Sequence, residues 1–139
     1  TKRPKTALTE EVEPSQGAFL HMLRTHDLFW SEHLKFFQDF DITAQQYNVL
    51  RILYVMEDGK GISCQTIGRF LLNRVPDITR LLDRLEQAGM IERRRCCTDR
   101  RVVRAYLSPL GHDKVEAVHP LLLAYLRKRF SHMSTEEIL

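Results

Sequence analysis

The sequence predicts a mainly α-helical domain of the α+β kind, with a two- to three-stranded sheet set among its helices. Three observations lead there. Apolar residues recur at helical spacing in four separate segments. Two short runs of β-type composition, 91–95 and 102–107, flank a polar tip. Between the segments, Ser, Thr and Pro stand where helices start and Gly where they end.

Taken in order, Thr1 to Ser15 is polar, carries Pro4 and Pro14, and reads as an N-terminal arm. From about Gln16 to Phe40, the residues Phe19, Met22, Leu23, Phe29, Trp30, His33, Phe37 and Phe40 make an aromatic stripe on a long helix. Asp41-Ile42-Thr43 breaks it. Thr43 with Gln46 forms a capping box for a second helix, which turns Tyr47, Leu50, Leu53 and Tyr54 inward. Asp58-Gly59-Lys60-Gly61 ends that helix in a turn. Ser63 caps a third helix over Cys64 to Leu71, and Pro76 suits the first turn of a fourth. That fourth helix shows Ile78, Leu81, Leu82 and Leu85 on one face and stops at Gly89. The hairpin follows. Ser108-Pro109 opens a fifth helix to about His132, with Val115, Val118, Leu122, Leu126 and Phe130 on its apolar side and Pro120 expected to kink it. Ser134 and Glu137 form a last capping box, the start of a sixth helix that is expected to extend beyond Leu139. The missing initial Met likewise suggests numbering that begins within a longer chain.

Two short helices joined by a tight connection, followed at once by a hairpin, make a winged helix-turn-helix. Charge sharpens that reading. Residues 69–104 hold ten arginines, no lysine and five acids, a net of +5, while the rest of the chain has a net of −2. Arginine's planar fork suits phosphates and guanine edges. The fourth helix would therefore enter the major groove of double-stranded DNA, presenting Arg74, Val75, Pro76, Thr79, Arg80 and, further along, Arg84. Arg80 is the best candidate for reading a guanine edge, and Thr79 could meet a thymine methyl or a phosphate. Ser63, Gln65 and Thr66 at the start of the third helix could donate to phosphates. Asp77 reads as a charge suited to its helix's N-terminus.

This order of elements resembles the MarR family of bacterial transcription regulators. The resemblance rests on Ile67-Gly68, on Thr79 through Glu86, on Gly89 through Arg93, on Asp99-Arg100-Arg101 and on Leu107 through Gly111. Leu72-Asn73 stands where the family often has Gly, and Cys96-Cys97-Thr98 where a wing proline is common. The resemblance implies that Arg101 enters the minor groove, that Asp99 orients it, and that Arg100 touches phosphate. It implies a homodimer on a palindromic operator, with 43–107 as the DNA-binding lobe and 16–42 with 108–139, its last helix cut short, as the dimerisation region. The broad apolar surface of the first and fifth helices agrees with that division. It also implies a repressor released by a small, often aromatic or phenolic, effector. Phe29, Trp30, His33, Phe37, Tyr47 and His112 are the candidates to line its pocket, though each could equally be a plain core aromatic.

Two further readings come from the cysteines and histidines. Cys96 and Cys97 sit among arginines that favour thiolate, which makes a redox-responsive wing the alternative regulatory mechanism. Cys64 reads as a small buried filler. The six histidines include no compact ligand set, so no metal and no cofactor is expected. There is no Gly-rich phosphate loop, paired-carboxylate site or nucleophile elbow, which argues against an enzyme. Three cysteines with no disulfide framework, no membrane-length apolar run and no signal peptide point to the cytoplasm. The rival class is a winged-helix module whose basic wing binds an acidic protein.

Overall fold

The computed structural model describes residues 13–56, 58–71 and 77–139. Helix α1 spans Pro14–Gln38 and α2 spans Ala44–Val55. A two-residue strand, β1 (Ile62–Ser63), leads into α3 (Cys64–Phe70), and α4 runs Ile78–Gln87. The hairpin β2 (Ile91–Arg95) and β3 (Val103–Leu107) precedes α5 (Pro109–Arg129) and the short α6 (Thr135–Ile138). The sheet is antiparallel in the order β1-β3-β2, with Ile62 opposite Ala105 and Arg93 opposite the same alanine on the other side.

Local sequence sets most helix ends. Thr43 and Gln46 exchange side-chain and backbone bonds at 2.9 and 3.2 Å, the expected capping box. Ser63, Asp77 and Ser108 each accept from the N–H three residues on, at 3.0 Å. Gly89 takes φ +71° past the end of α4, and the N–H groups of Gly89 and Met90 donate to the carbonyls of Glu86 and Leu85. This paired closure needs a left-handed residue, which glycine adopts without strain.

Some boundaries differ from expectation. The polar arm was expected through Ser15, but α1 already includes Pro14 and Ser15, because Glu13 caps it and proline suits the first helical turn. Helix α5 ends at Arg129 rather than His132 and runs through Pro120 without interruption. Pro76 and the Leu72-Asn73 connection lie outside the described residues.

Side chains from most elements meet in one core. Tyr47, Val49 and Leu50 of α2, Ile67 of α3, Leu82 and Leu85 of α4, Ile91 and Ala105 of the hairpin, and Val115 and Val118 of α5 are all buried. Burial of this kind is the main stabilising term for such a domain. Ser108, at the end of the wing, adds a polar tie to the turn that closes α4. Ser108 donates its hydroxyl to the Gly89 carbonyl at 2.6 Å and its N–H to the Met90 carbonyl at 3.1 Å. Gly111 lies so close to that turn that a Cβ would stand 2.1 Å from the Met90 oxygen. The fifth helix therefore packs on bare backbone, and the direction of the wing relative to α4 is set there.

Candidate nucleic-acid interface

Three separate elements converge on one groove. The start of α3 supplies Ser63 and Gln65, α4 supplies Thr79, and the wing supplies Arg101, around a cleft of about 380 Å³. Gln65, Thr79 and Arg101 are exposed. Ser63 and Thr66 are less free, since their hydroxyls bond each other at 2.7 Å and Ser63 also caps α3. The α3 amides beyond that cap still present a partial positive charge toward the cleft. Arg80 and Arg84 lie exposed on α4, with the Arg80 guanidinium 3.8 Å from the Asp77 carboxylate. Arg74 and Pro76 are outside the described residues.

The arginines divide into two sets by what they already touch. Arg93 is bound by two acids of α4: its Nη2 is 2.5 Å from Asp83 Oδ1 and 2.7 Å from Glu86 Oε2. Its Nε and its backbone N–H also donate to Glu86, both at 2.9 Å. These bonds hold the Glu86 carboxyl below its usual range and push the Arg93 guanidinium up. Arg94 pairs with Glu92 at 2.5 Å and stands 5.1 Å from the Tyr106 ring centre. Arg104 donates to the Gly61 carbonyl at 2.9 Å. By contrast, Arg69, Arg84, Arg95, Arg100 and Arg101 have no carboxylate partner among the described residues. Within the arginine-rich stretch, the arginines without an acid partner thus lie at the wing and on the outer face of α3 and α4.

The wing tip departs from expectation in one bond. Asp99 was expected to orient Arg101 through a charge-assisted bond to its guanidinium. Instead Asp99 Oδ1 accepts from the Arg101 backbone N–H at 3.0 Å. Asp99 shapes the turn, and the Arg101 side chain extends from it into solvent. A carboxylate two residues before an N–H closes that ring more readily than one reaching along a flexible side chain.

The proposed pocket aromatics are not gathered around one cavity. Phe37 and Tyr47 are core residues, 3% and 1% exposed, with rings 5.2 Å apart. Phe29 stacks on Phe130 at 5.5 Å, and Trp30 tilts against His33 at 5.7 Å. Burial lowers the pKa of His33 and raises that of Tyr47. The Tyr47 hydroxyl reaches His119 Nδ1 at 2.9 Å. His112 lies apart, over Tyr54 at 4.8 Å. Among the other hollows are one of about 580 Å³ between α1 and α5, lined by Lys35, Phe36, Tyr125 and Arg129, and one of about 360 Å³ between α2 and α5 beside Tyr54, His119 and Pro120. Sequence spacing marked neither, because each draws on faces of two distant helices. His112, Asp113 and Glu116 place possible ligand atoms within 4.8 Å of one another, all on one exposed turn of α5.

Comparison with known proteins adds identity to this geometry. A sequence model of the MarR family matches residues 42–103. A crystal structure of a MarR transcription factor from Planctomyces limnophilus is 30% identical, with a TM-score of 0.73 over 93% of each chain. The chain belongs to the MarR family. A second solved structure, the Staphylococcus aureus MepR–DNA complex, is 26% identical with a TM-score of 0.73 over 91% of this chain and 89% of that one. YkoM, an uncharacterized HTH-type transcriptional regulator of Bacillus subtilis, is 25% identical over 92% of this chain and 81% of its own length. This MarR-family protein is accordingly a DNA-binding transcriptional regulator rather than an enzyme, with a three-stranded wing sheet. No helix among its described residues is long and apolar enough to cross a membrane.

Proposed function

We propose that this regulator binds a palindromic operator as a homodimer, represses from it, and is released by a small effector. The carrying observation is the shared face of Ser63, Gln65, Thr79 and Arg101, three elements converging on one cleft beside unpaired arginines. On that reading α4 lies in the major groove and the wing reaches the adjacent minor groove, and the likeness to MepR, solved as a complex with DNA, supports DNA as the partner. Dimerisation through α1, α5 and α6 is supported by the apolar side chains left in solvent there: Phe19 is 56% exposed, Met22 64% and Leu121 52%. A two-fold partner would cover them and set two recognition helices about one DNA turn apart. The hollows between α5 and its neighbours are where a drug-sized effector has room, and filling one would fix the lobe spacing.

The test is selection of bound duplexes from a random pool at two salt concentrations, with Arg101→Ala beside the parent. The expected result is an enriched palindrome that the variant binds more weakly. Binding that fades uniformly with salt and enriches no sequence would refute the operator reading and favour a wing that meets an acidic protein.

A further inference from the structure

Cys96 follows β2 and opens the wing turn. Its N–H donates to the Val102 carbonyl at 2.9 Å, and the Val102 N–H donates to the Asp99 carbonyl at 3.0 Å, so the turn is closed around it. The half-exposed thiol points back into this loop, with Sγ 3.2 Å from Thr98 Oγ1. The Thr98 hydroxyl, the backbone N–H groups of Asp99 and Thr98, and the Arg104 side chain together lower its pKa to about 6. At pH 7 it is therefore mostly thiolate. Cys64 is the opposite case: half-buried, with its pKa raised by burial. Cys97, the next residue, is exposed.

We propose that Cys96 is a site of oxidation by hydroperoxides, that Cys97 resolves the product, and that the oxidised wing tip releases DNA. The last clause rests on the proposed operator binding; the first two stand without it. Hydroperoxide is the reactant the surroundings suit. The Thr98 hydroxyl stands 3.2 Å from the sulfur and can donate to the peroxide oxygen on which negative charge develops. The thiolate attacks one oxygen, an S–O bond forms, and the O–O bond breaks. Its electron pair leaves on the other oxygen, which takes a proton from water. Cys96 is then a sulfenic acid and the peroxide has been reduced to water or an alcohol. The Cys97 thiol attacks that sulfur, the S–S bond forms, and the hydroxyl departs with the thiol proton as water. Neighbouring α-carbons are only about 3.8 Å apart, closer than a relaxed disulfide prefers, so the bridge must redirect the turn. Asp99, Arg100 and Arg101 ride on that turn.

The experiment treats the reduced full chain with one equivalent of hydrogen peroxide, traps sulfenic acid with dimedone, and maps the adduct by mass spectrometry. Anisotropy on the selected operator duplex follows binding in parallel. The parent should yield a Cys96–Cys97 disulfide and lose affinity by about tenfold or more, the scale of losing wing arginine contacts. Cys97→Ser should accumulate the Cys96 adduct. Thr98→Val should slow oxidation by about tenfold or more while leaving reduced-state affinity unchanged. Cys96→Ser should keep its DNA affinity under peroxide. The proposal is overturned if the adduct appears first on Cys64 or Cys97, or if Cys96→Ser loses DNA under peroxide as the parent does. Reduced parent that binds no duplex would count against operator binding alone, and the adduct map would still decide the peroxide site.

Discussion

Replacing Glu86 with alanine separates two roles for the most tightly held arginine in the wing. Arg93 either braces β2 against α4 or waits as a DNA ligand masked by acids. Glu86→Ala removes three N–H···O bonds, from the Arg93 backbone at 2.9 Å, Nε at 2.9 Å and Nη2 at 2.7 Å. Charge-assisted bonds are each worth about 1.5–3 kcal/mol when buried. Here the side chains are 38% and 21% exposed and Asp83 keeps its own contact, so solvent screening cuts the sum to about 2 kcal/mol. At about 3 °C per kcal/mol for a chain of this size, Tm should fall by about 6 °C at matched protein concentration. Operator affinity should fall a few-fold with its salt slope unchanged, because the wing is less well aimed while no phosphate contact is lost. The reasoning fails if Glu86→Ala instead binds DNA more tightly with a salt slope steeper by about one, which is what an unmasked phosphate ligand would do. Acid gives a second check. The hydrogen bond from Arg93 holds the Glu86 carboxyl below its ordinary value of 4.5, so its stabilisation is complete above that pH. The Tm gap between parent and variant should stay constant from neutral pH to about 4.5 and close as pH falls through the lower folded value.

The other predictions address the anchor, the wing tip and the exposed helix face. Gly111→Ala drives a methyl to 2.1 Å from the Met90 carbonyl, so it should destabilise by about 2–3 kcal/mol in urea despite alanine's better helix propensity; unchanged stability would mean that α5 does not sit on the turn. Arg101→Ala should reduce the salt slope of operator binding by about one and relax any A·T preference beside the half-site, both read by anisotropy across a salt series. Met22→Glu, at a position 64% exposed, should leave the helical circular dichroism intact and shift sedimentation toward monomer; an unchanged sedimentation coefficient would place the partner contact elsewhere.

Much of the fold follows from bonds between residues three to five apart. The Thr43–Gln46 box, the caps at Ser63 and Ser108, and the Gly89 closure of α4 are all of this kind and form as the residues suggest, whereas Asp77, read only as a charge suited to its helix's N-terminus, caps α4 outright. So does the periodic face of Leu81, Leu82 and Leu85. The groove was legible in part for the same reason. Ser63 and Gln65 lie at a recognisable helix start, Thr79 at another, and Arg101 at a hairpin tip. What stayed hidden depends on pairs far apart in the chain. The strand β1 is two residues long and exists only because Ala105 and Arg104 of β3 lie beside it. The six pocket aromatics share no cavity because Phe37 of α1 and Tyr47 of α2 pack together in the core and α5 carries His112 away.

The sequence by itself determined the order of the helices and several of their caps, which faces of them are apolar, and that an arginine-only surplus lies between residues 69 and 104. Only the tertiary structure decided which arginines are paired and which are exposed. Arg93 and Arg101 look alike as letters in one basic stretch. Packing sets Asp83 and Glu86 against the first and leaves the second in solvent. Composition counts charges, but an acid within hydrogen-bond reach cancels one where it stands, and that reach is set by how β2 lies against α4.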